Sequence, residues 1–240
     1  MLVASYTERP DLAARTGEIS DVWPEFMHHA TFAEYWPRLR QEFPEFQVVL
    51  YDEEHDRLLG RGQSVPFRCP GGWDDLPDGV DGVLRQVFEE GGEPTTLSAL
   101  VAVVDPRFQG RGLSRSIIEG MRSAAVRHRL DALVAPVRPT LKARYPLAPI
   151  DRYLGWRRTD GELFDPWLRV HERLGAEILG ICPGSLVVEA SVAEWEEWTG
   201  IAFPDTGAYV VDGALVPVEI DREANTGRYV EPNVWMRHHA

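Results

Sequence analysis

The chain contains very little cysteine, with only Cys69 and Cys182 among its 240 residues. The two lie far apart and form no Cys-x-x-Cys pair, so the sequence offers neither a disulfide framework nor a zinc knuckle. No stretch approaches the roughly 20 apolar residues that cross a bilayer. The N-terminus lacks a charged start followed by an apolar core, which argues against a secretory signal. These absences predict a soluble, cytoplasmic protein with reduced thiols and no membrane partner.

Basic residues are in the minority, with 25 Lys and Arg against 38 Asp and Glu and a net charge of −13. An extended nucleic-acid surface needs a concentrated basic stripe, so nucleic acid is not expected as a partner. The acidic runs 89–93 and 194–198 could attract a cationic substrate, or the acidity could serve solubility alone. The hydrophobic content of 44% predicts a packed core in one large domain.

Apolar residues between positions 21 and 43 repeat at helical spacing, although two prolines interrupt the pattern. They are Val22, Phe26, Phe32, Tyr35, Trp36 and Leu39. Residues 46–67 place two apolar runs on either side of a polar turn, which predicts a hairpin. A loop is expected over 69–79, and a short amphipathic helix ended by glycine over 79–92.

The central part of the chain predicts a strand over 97–104, a helix from Leu113 and a second strand over 131–137. Continuous apolar strands joined by a helix are typical of a crossover that pairs the strands in parallel. A further helix is predicted over 165–179, with Asp165 as its cap and Gly180 as its end.

Strand-like runs follow at 185–192 and 208–220, while the proline-punctuated stretch 138–164 supports no assignment. The absence of a repeat or a linker favours a single domain over 1–240.

The turn between the predicted strand and helix, Asp-Pro-Arg-Phe-Gln-Gly-Arg-Gly-Leu-Ser (105–114), is rich in glycine and suited to an anionic ligand. A nucleotide-binding P-loop is excluded, because no lysine occurs in 105–125. A dinucleotide fingerprint fits poorly, since Arg115 stands where a third glycine is needed. Asp131 also falls at the start of the next strand, whereas the ribose would lie at its end.

The pattern Gln/Arg-x-x-Gly-x-Gly/Ala is satisfied at every fixed position by residues 107–112. Here the chain resembles the GCN5-related N-acetyltransferase (GNAT) family, in which this turn binds the pyrophosphate of acyl-CoA. The segment 171–178 also looks like a later helix of that family, and the likeness covers about residues 45–190. It implies an α/β fold of the α+β type, with a central mixed sheet flanked by helices. The N-terminal helical part and the C-terminal strands would then form the acceptor side.

The resemblance implies acetyl-CoA, or another acyl-CoA, as co-substrate. Main-chain amides from Gln109 to Ser114 would hold the phosphates, because the glycines permit close approach. A backbone amide at Val103 or Val104 would polarise the thioester carbonyl. The predicted binding residues are Val103, Val104, Arg107, Gln109, Gly110, Arg111, Gly112, Leu113 and Ser114. For the arginines, plain solvation is an equal alternative.

The family's usual acid is a tyrosine, and the matching position here is His171, whose imidazolium could protonate the departing thiolate. Tyr145, Tyr153 or solvent are the alternatives. Glu93 and Glu231 are the candidate general bases. No metal is expected, because neither histidine pair, at 28–29 and 238–239, has a spaced carboxylate or cysteine partner.

The resulting prediction is an acyl-CoA-dependent N-acyltransferase that moves acetyl to an amine by direct attack in a ternary complex. One alternative is a non-catalytic CoA-binding or sensing module. The other is an acyltransferase that uses a carrier-protein-bound acyl group. The expected partner is a small-molecule amine acceptor, cationic if the surface acidity is a guide, and a homodimer stays open.

Overall fold

The computed structural model describes residues 1–20, 23–69 and 72–239. Val22 of the predicted N-terminal helix, together with positions 70 and 71 of the predicted loop, lies outside these ranges.

The core of the protein is one mixed sheet of nine strands, in the order β1-β2-β3-β4-β5-β9-β8-β7 with β6 also paired to β9. The strands are β1 Leu2–Ser5, β2 Val48–Asp52, β3 Arg57–Phe67, β4 Thr96–Val104, β5 Ala132–Val137, β6 Glu177–Ala190, β7 Gly207–Tyr209, β8 Val218–Asp221 and β9 Thr226–His239. The α-helices are α1 Pro10–Ala13, α2 Trp36–Glu42, α3 Gly79–Arg85, α4 Leu113–Arg127, α5 Ile150–Leu154, α6 Pro166–Arg173 and α7 Val192–Thr199.

The predicted hairpin and crossover are confirmed. β2 and β3 pair antiparallel, and β4 and β5 pair in parallel through Leu97 with Leu133 and Ser98 with Val134. α4 connects β4 and β5, and residues such as Ile117 at helical spacing are buried against the sheet. No β4–β5 pair follows Ser98, so the two strands separate toward their carboxyl ends.

The two faces of the sheet carry different layers. α4 and α6 pack on one face, in a cluster that includes Val234 and Met236 of β9. The other face carries α2, α3 and residues 6–19, which we call the N-terminal segment, in clusters that include Trp235 of β9 and Tyr6. Side chains alternate along a strand, so odd-numbered residues of this part of β9 face the N-terminal segment. We call the face that carries α4 and α6 the α4 face, and the opposite face the N-terminal face.

The predicted helix over 21–43 is largely wrong. Its described part forms short 3-10 turns, at Glu25–His29 and Ala33–Tyr35, before the single helix α2. Proline supplies no amide donor and restricts the residue before it, which keeps the first part from becoming one continuous helix. β1, which the sequence did not indicate, pairs with β2.

The predicted helix over 165–179 starts as expected but ends early. Asp165 caps α6 by accepting from the amides of Trp167 and Leu168. Gly175 then adopts a φ of +81°, a conformation that ends helices, and the chain enters β6. Gly180 therefore lies within a strand. The predicted strand over 208–220 is interrupted, since a turn separates β7 from β8. The predicted helix over 79–92 is confirmed as α3, followed by a π-helical turn at Gln86–Glu90.

Candidate active site

A cavity of about 1310 Å³ reaches the gap where β4 and β5 separate. Val101 to Val104 of β4 line it, as do Ala135 to Val137 of β5. It is bounded by α4 and α6 on the α4 face and by the N-terminal segment on the other. A ligand in this cavity can therefore contact both faces of the sheet through the gap.

The glycine-rich turn borders this cavity at the start of α4. Gly110 and Gly112 have φ values of +76° and +73°, which favour glycine. A Cβ at either position would meet no heavy atom within 4 Å, so the space beside the main chain is open. Gln109, Leu113 and Ser114 line the cavity with them. Main-chain amides at the N-terminus of a fifteen-residue helix are suited to phosphate, so these residues fit the diphosphate of a CoA molecule.

The two arginines of the turn differ in their contacts. The guanidinium of Arg107 forms a bidentate pair with Asp105, with Nε–Oδ1 and Nη2–Oδ2 distances of 2.8 Å. Asp105 is fully buried, and the hydrogen bonds from the Arg107 side chain lower its pKa to about 2. Arg107 thus neutralises a buried carboxylate, whereas Arg111 is exposed on the turn. Neither is among the described residues that line the cavity.

Val103 and Val104 both border the cavity, but their amides point in opposite directions. The amide of Asp105 donates to the Leu59 carbonyl of β3 at 2.9 Å. Amides alternate along a strand, so Val103 also points toward β3 and Val104 points away from it. The Val104 carbonyl accepts from Gln109 Nε2 at 3.1 Å, which agrees with this orientation. Of the two predicted donors, only Val104 presents its amide on the side of the gap.

A β-bulge lies further back on β4. Gln63 of β3 pairs with Val101, while the adjacent Ser64 pairs with Ala99, so Leu100 is an extra residue without a Cα partner. A bulge disrupts the ladder and frees main-chain groups beside it. It lies about 13 Å from Val104 at the usual rise of a strand. The sequence contained no signal for this bulge.

A buried ion pair lies in the cavity on the N-terminal face. Glu231 of β9 is 1% exposed, and its Oε2 accepts from Arg138 Nε at 2.8 Å and from the Tyr229 hydroxyl at 2.8 Å. Arg138 follows β5 directly and also donates to the Gly213 carbonyl. The second carboxylate oxygen, Oε1, receives no hydrogen bond from any residue that the structure describes. Glu231 thus offers one oxygen to a ligand in the cavity.

No family model matches the sequence. The arginine N-acetyltransferase avaD of Aspergillus versicolor is 32% identical over 251 residues, which cover 92% of this chain and 86% of that protein. The chain belongs to the GCN5-related N-acetyltransferase family. Its activity is acyl-CoA-dependent N-acyl transfer, and its acceptor is an amine.

Two solved structures show the same fold as this acetyltransferase. The loading GNATL domain of CurA from Lyngbya majuscula superposes with a TM-score of 0.61 at 19% identity, covering 99% of this chain and 96% of that one. The GphF GNAT-like decarboxylase in complex with isobutyryl-CoA gives 0.58 at 18% identity, covering 100% and 99%. They confirm the predicted mixed sheet flanked by helices.

His171 of the acetyltransferase lines the cavity but is 3% exposed. Its Nδ1 lies 2.9 Å from Nε2 of His238, and its own Nε2 has no partner among the described residues. Burial, together with the neighbouring His238, lowers the pKa of His171 to about 3. A pKa this low leaves the ring uncharged at neutral pH, which does not favour the predicted imidazolium acid. A catalytic role for His171 stays a prediction.

The other candidate acid and base residues lie elsewhere. Glu93 is exposed in the segment before β4 and does not line the cavity. Tyr153 donates its hydroxyl to Asp165 at 2.8 Å in the interior, and Tyr145 packs in the same aromatic cluster. Neither tyrosine lines the cavity. Glu231 is thus the one predicted acid–base carboxylate that the described structure places in the cavity.

The charged lining of the cavity is mostly basic, although the protein is acidic. Among the described residues, its charged side chains are Arg40, Arg61, Arg138, Arg169, Arg173 and Glu231. The acidic runs 89–93 and 194–198 do not line it. The overall charge of the chain therefore differs in sign from the charge of most charged side chains in the cavity lining.

Within the described ranges, no helix has the length and apolar character that a membrane span requires. The same ranges contain no cluster of His, Cys, Asp or Glu that could hold a metal ion.

Proposed function

We propose that this enzyme transfers the acetyl group of acetyl-CoA to the amine of a free amino acid, with L-arginine as the first acceptor to test. The observation that carries the proposal is the cavity itself. It connects the glycine-rich turn at residues 109–114, which is suited to phosphate, with Glu231, the buried carboxylate on the N-terminal face. The curated relative is named as an arginine N-acetyltransferase, and the basic lining suits an acceptor that carries a carboxylate.

The donor would bind along the separated strands. The amides from Gln109 to Ser114 would hold the diphosphate, and the pantetheine arm would enter the gap between β4 and β5. The amide freed at the Leu100 bulge is the proposed donor to the thioester carbonyl, in place of the predicted Val103 or Val104. A single donor of this type is worth about 10²- to 10³-fold in rate.

The acceptor would bind on the N-terminal face, where Glu231 is the proposed general base. Glu231 Oε1 takes one proton from the ammonium, and the nitrogen lone pair forms the C–N bond at the thioester carbon. The C–S bond then breaks, and its electron pair leaves with the sulfur. The nitrogen loses a second proton as the amide forms, and the thiolate gains one. The net products are the N-acetyl amine, CoA thiol and one proton released from Glu231 to solvent.

The test is release of CoA thiol from acetyl-CoA in the presence of L-arginine, agmatine or tryptamine, with mass spectrometry of the product. We expect arginine to be acetylated faster than agmatine, which lacks the carboxylate, and tryptamine to be slowest. Thiol release that does not require an amine, or no release with any amine, would overturn the proposal.

Glu231→Gln tests the base. The amide keeps an acceptor for Arg138 but cannot take the proton, so kcat should fall by about 100-fold, within the range for a general base. The KM for acetyl-CoA should stay within about twofold. Glu189→Gln is the control, because Glu189 is an exposed residue of β6 outside the cavity. An unchanged kcat in Glu231→Gln would remove Glu231 from the mechanism.

A further inference from the structure

Asn233 of β9 is a buried residue of the cavity with a fixed orientation. It is 2% exposed, and its Nδ2 donates to the Pro136 carbonyl at 3.2 Å and to Ser185 Oγ at 2.8 Å. A backbone carbonyl only accepts hydrogen bonds, so the amide group cannot be turned around without placing two acceptors against each other. The Oδ1 atom of Asn233 is therefore held in one direction.

This Oδ1 atom has no hydrogen-bond partner within the described part of the chain. Leaving a buried acceptor unsatisfied costs about 1–3 kcal/mol, and Asn233 lines the cavity, so a ligand that donates to this oxygen would satisfy it. Glu231 stands two positions earlier on the same strand, and its Oε1 is also without a donor. Side chains at i and i+2 share a face of the sheet. Two residues of the cavity lining that share one face of β9 thus each carry an acceptor oxygen without a donor among the described residues.

The position of Asn233 relates these acceptors to the donor strand. Ser98 of β4 pairs with Val134 of β5, so continuing the parallel register by two residues brings Leu100 level with Pro136. Asn233 is bonded to Pro136, and Leu100 is the bulged residue. The bulge and Asn233 therefore flank the same level of the gap, and Glu231 lies two residues before Asn233 on β9.

We propose that Asn233 Oδ1 accepts a hydrogen bond from the attacking amine and so orients the lone pair of the amine. This inference rests on the proposed amine acetylation. A primary ammonium has three N–H groups. One points to Glu231 Oε1 and is transferred, and a second points to Asn233 Oδ1. The transfer leaves the lone pair on the side of Glu231, and the bond to Asn233 is the axis about which the neutral amine turns that lone pair toward the thioester carbon in the gap.

The proposal predicts a preference for amines with enough N–H groups. Nα-Methyl-L-arginine has two N–H groups on its ammonium, so it serves both Glu231 and Asn233 in only one of the three rotations about its C–N bond, whereas L-arginine serves both in every rotation. The wild-type enzyme should therefore prefer L-arginine in kcat/KM by about threefold or more, since the competent fraction of the bound N-methyl compound is about one third.

The variants are Asn233→Leu, which keeps the side-chain volume, and Asn233→Ala. Both should lower kcat/KM for L-arginine by about tenfold or more, reduce the preference over the N-methyl compound to about 1.5-fold, because two of its three rotations then serve Glu231, and leave the KM for acetyl-CoA unchanged. Calorimetric titration of L-arginine into the CoA-bound variants should show weaker binding. Ser185→Ala is the matched control, since it removes a partner of Asn233 Nδ2 but leaves Oδ1 in place, and it should keep the wild-type preference.

The outcomes separate this inference from the function on which it rests. If wild-type enzyme acetylates no amine, both fall together. If wild-type enzyme is active but the Asn233 variants retain its kcat/KM and its preference, only the role of Asn233 is overturned. An equal loss of preference in Ser185→Ala would also overturn it, because the effect would then come from the packing of β6 against β9.

Discussion

The two halves of the cavity present different kinds of polar group. On the α4 face these are main-chain amides of residues 109–114, where Gly110 and Gly112 have positive φ values. On the N-terminal face the polar groups are side chains, and Arg138, Glu231 and Asn233 come from two distant strand regions. A main-chain site depends on backbone conformation and tolerates many side chains. A side-chain site depends on a network in which each member holds another.

The largest effect is expected for Gly112→Glu on the α4 face. Any non-glycine residue is strained at a φ of +73°, by about 1–2 kcal/mol, and a carboxylate there repels the phosphates of the donor. Affinity for acetyl-CoA should fall on the order of a thousandfold, which is about 4 kcal/mol. Thermal-shift titration with acetyl-CoA measures this directly, because a ligand of the native state raises the melting temperature.

The control for this variant is Gly161→Glu. Gly161 has a φ of +85° with open space around it and does not line the cavity. It should lose stability by a similar amount but still respond to acetyl-CoA. An undiminished response in Gly112→Glu would show that the turn does not bind the donor.

The next effect is expected for Arg138→Gln on the N-terminal face. This change leaves Glu231 buried with a weaker partner, and breaking a buried pair costs about 3–5 kcal/mol. Arg228→Gln is the control, because the Arg228–Glu189 pair is exposed at 3.5 Å and should contribute under about 1 kcal/mol. Urea unfolding measures both. Equal losses would mean that Arg138 does not hold Glu231 in place.

Arg107→Gln and Arg111→Gln should separate two roles within the turn. Arg107 neutralises buried Asp105, so its loss should cost about 2 kcal/mol of stability, with little change in the KM for acetyl-CoA. Arg111 is exposed on the turn, so its loss should raise that KM a few-fold without lowering stability. Urea unfolding and steady-state kinetics report the two quantities. The reverse pattern would assign phosphate binding to Arg107.

The smallest effect concerns the His171–His238 pair. Burial lowers the pKa of these rings to about 3 and about 4, against 6.5 in the unfolded chain. Between about pH 4 and 6.5 the unfolded state binds more protons, so this pair makes stability rise with pH over that window and fall on acidification. Asp81 contributes to the pH dependence of stability with the opposite sign, because burial raises its pKa to about 7 and the folded state then binds more protons than the unfolded state.

His171→Gln should therefore flatten the rise of stability between pH 4 and 6.5 by about 1 kcal/mol or more. Asp81→Asn should steepen it. Urea unfolding at several pH values tests both, and an unchanged slope in His171→Gln would show that the ring is not held uncharged in the folded state.

The strand, turn and helix on the α4 face could be predicted from the sequence because their signals are local. Gly110 and Gly112 sit between a buried strand and a helix, and that arrangement is visible in ten consecutive residues. The polar groups of the N-terminal face were harder to predict from the sequence. Asn233 has no distinctive neighbours in the chain, and it acquires its hydrogen-bond partners only when β9 pairs with β5 and β6. Arg138 could have been suspected as a charge directly after a buried strand. The Leu100 bulge depends on register between strands, which a single sequence does not encode locally.

A crystal structure of the enzyme with bound CoA tests the central claim most directly. The account predicts the diphosphate on the amides of residues 109–114 and the pantetheine arm between β4 and β5. The sulfur should lie at the level of Leu100, with Glu231 and Asn233 on the opposite side of the gap. A diphosphate bound elsewhere, or a sulfur that points away from the N-terminal face, would contradict the account.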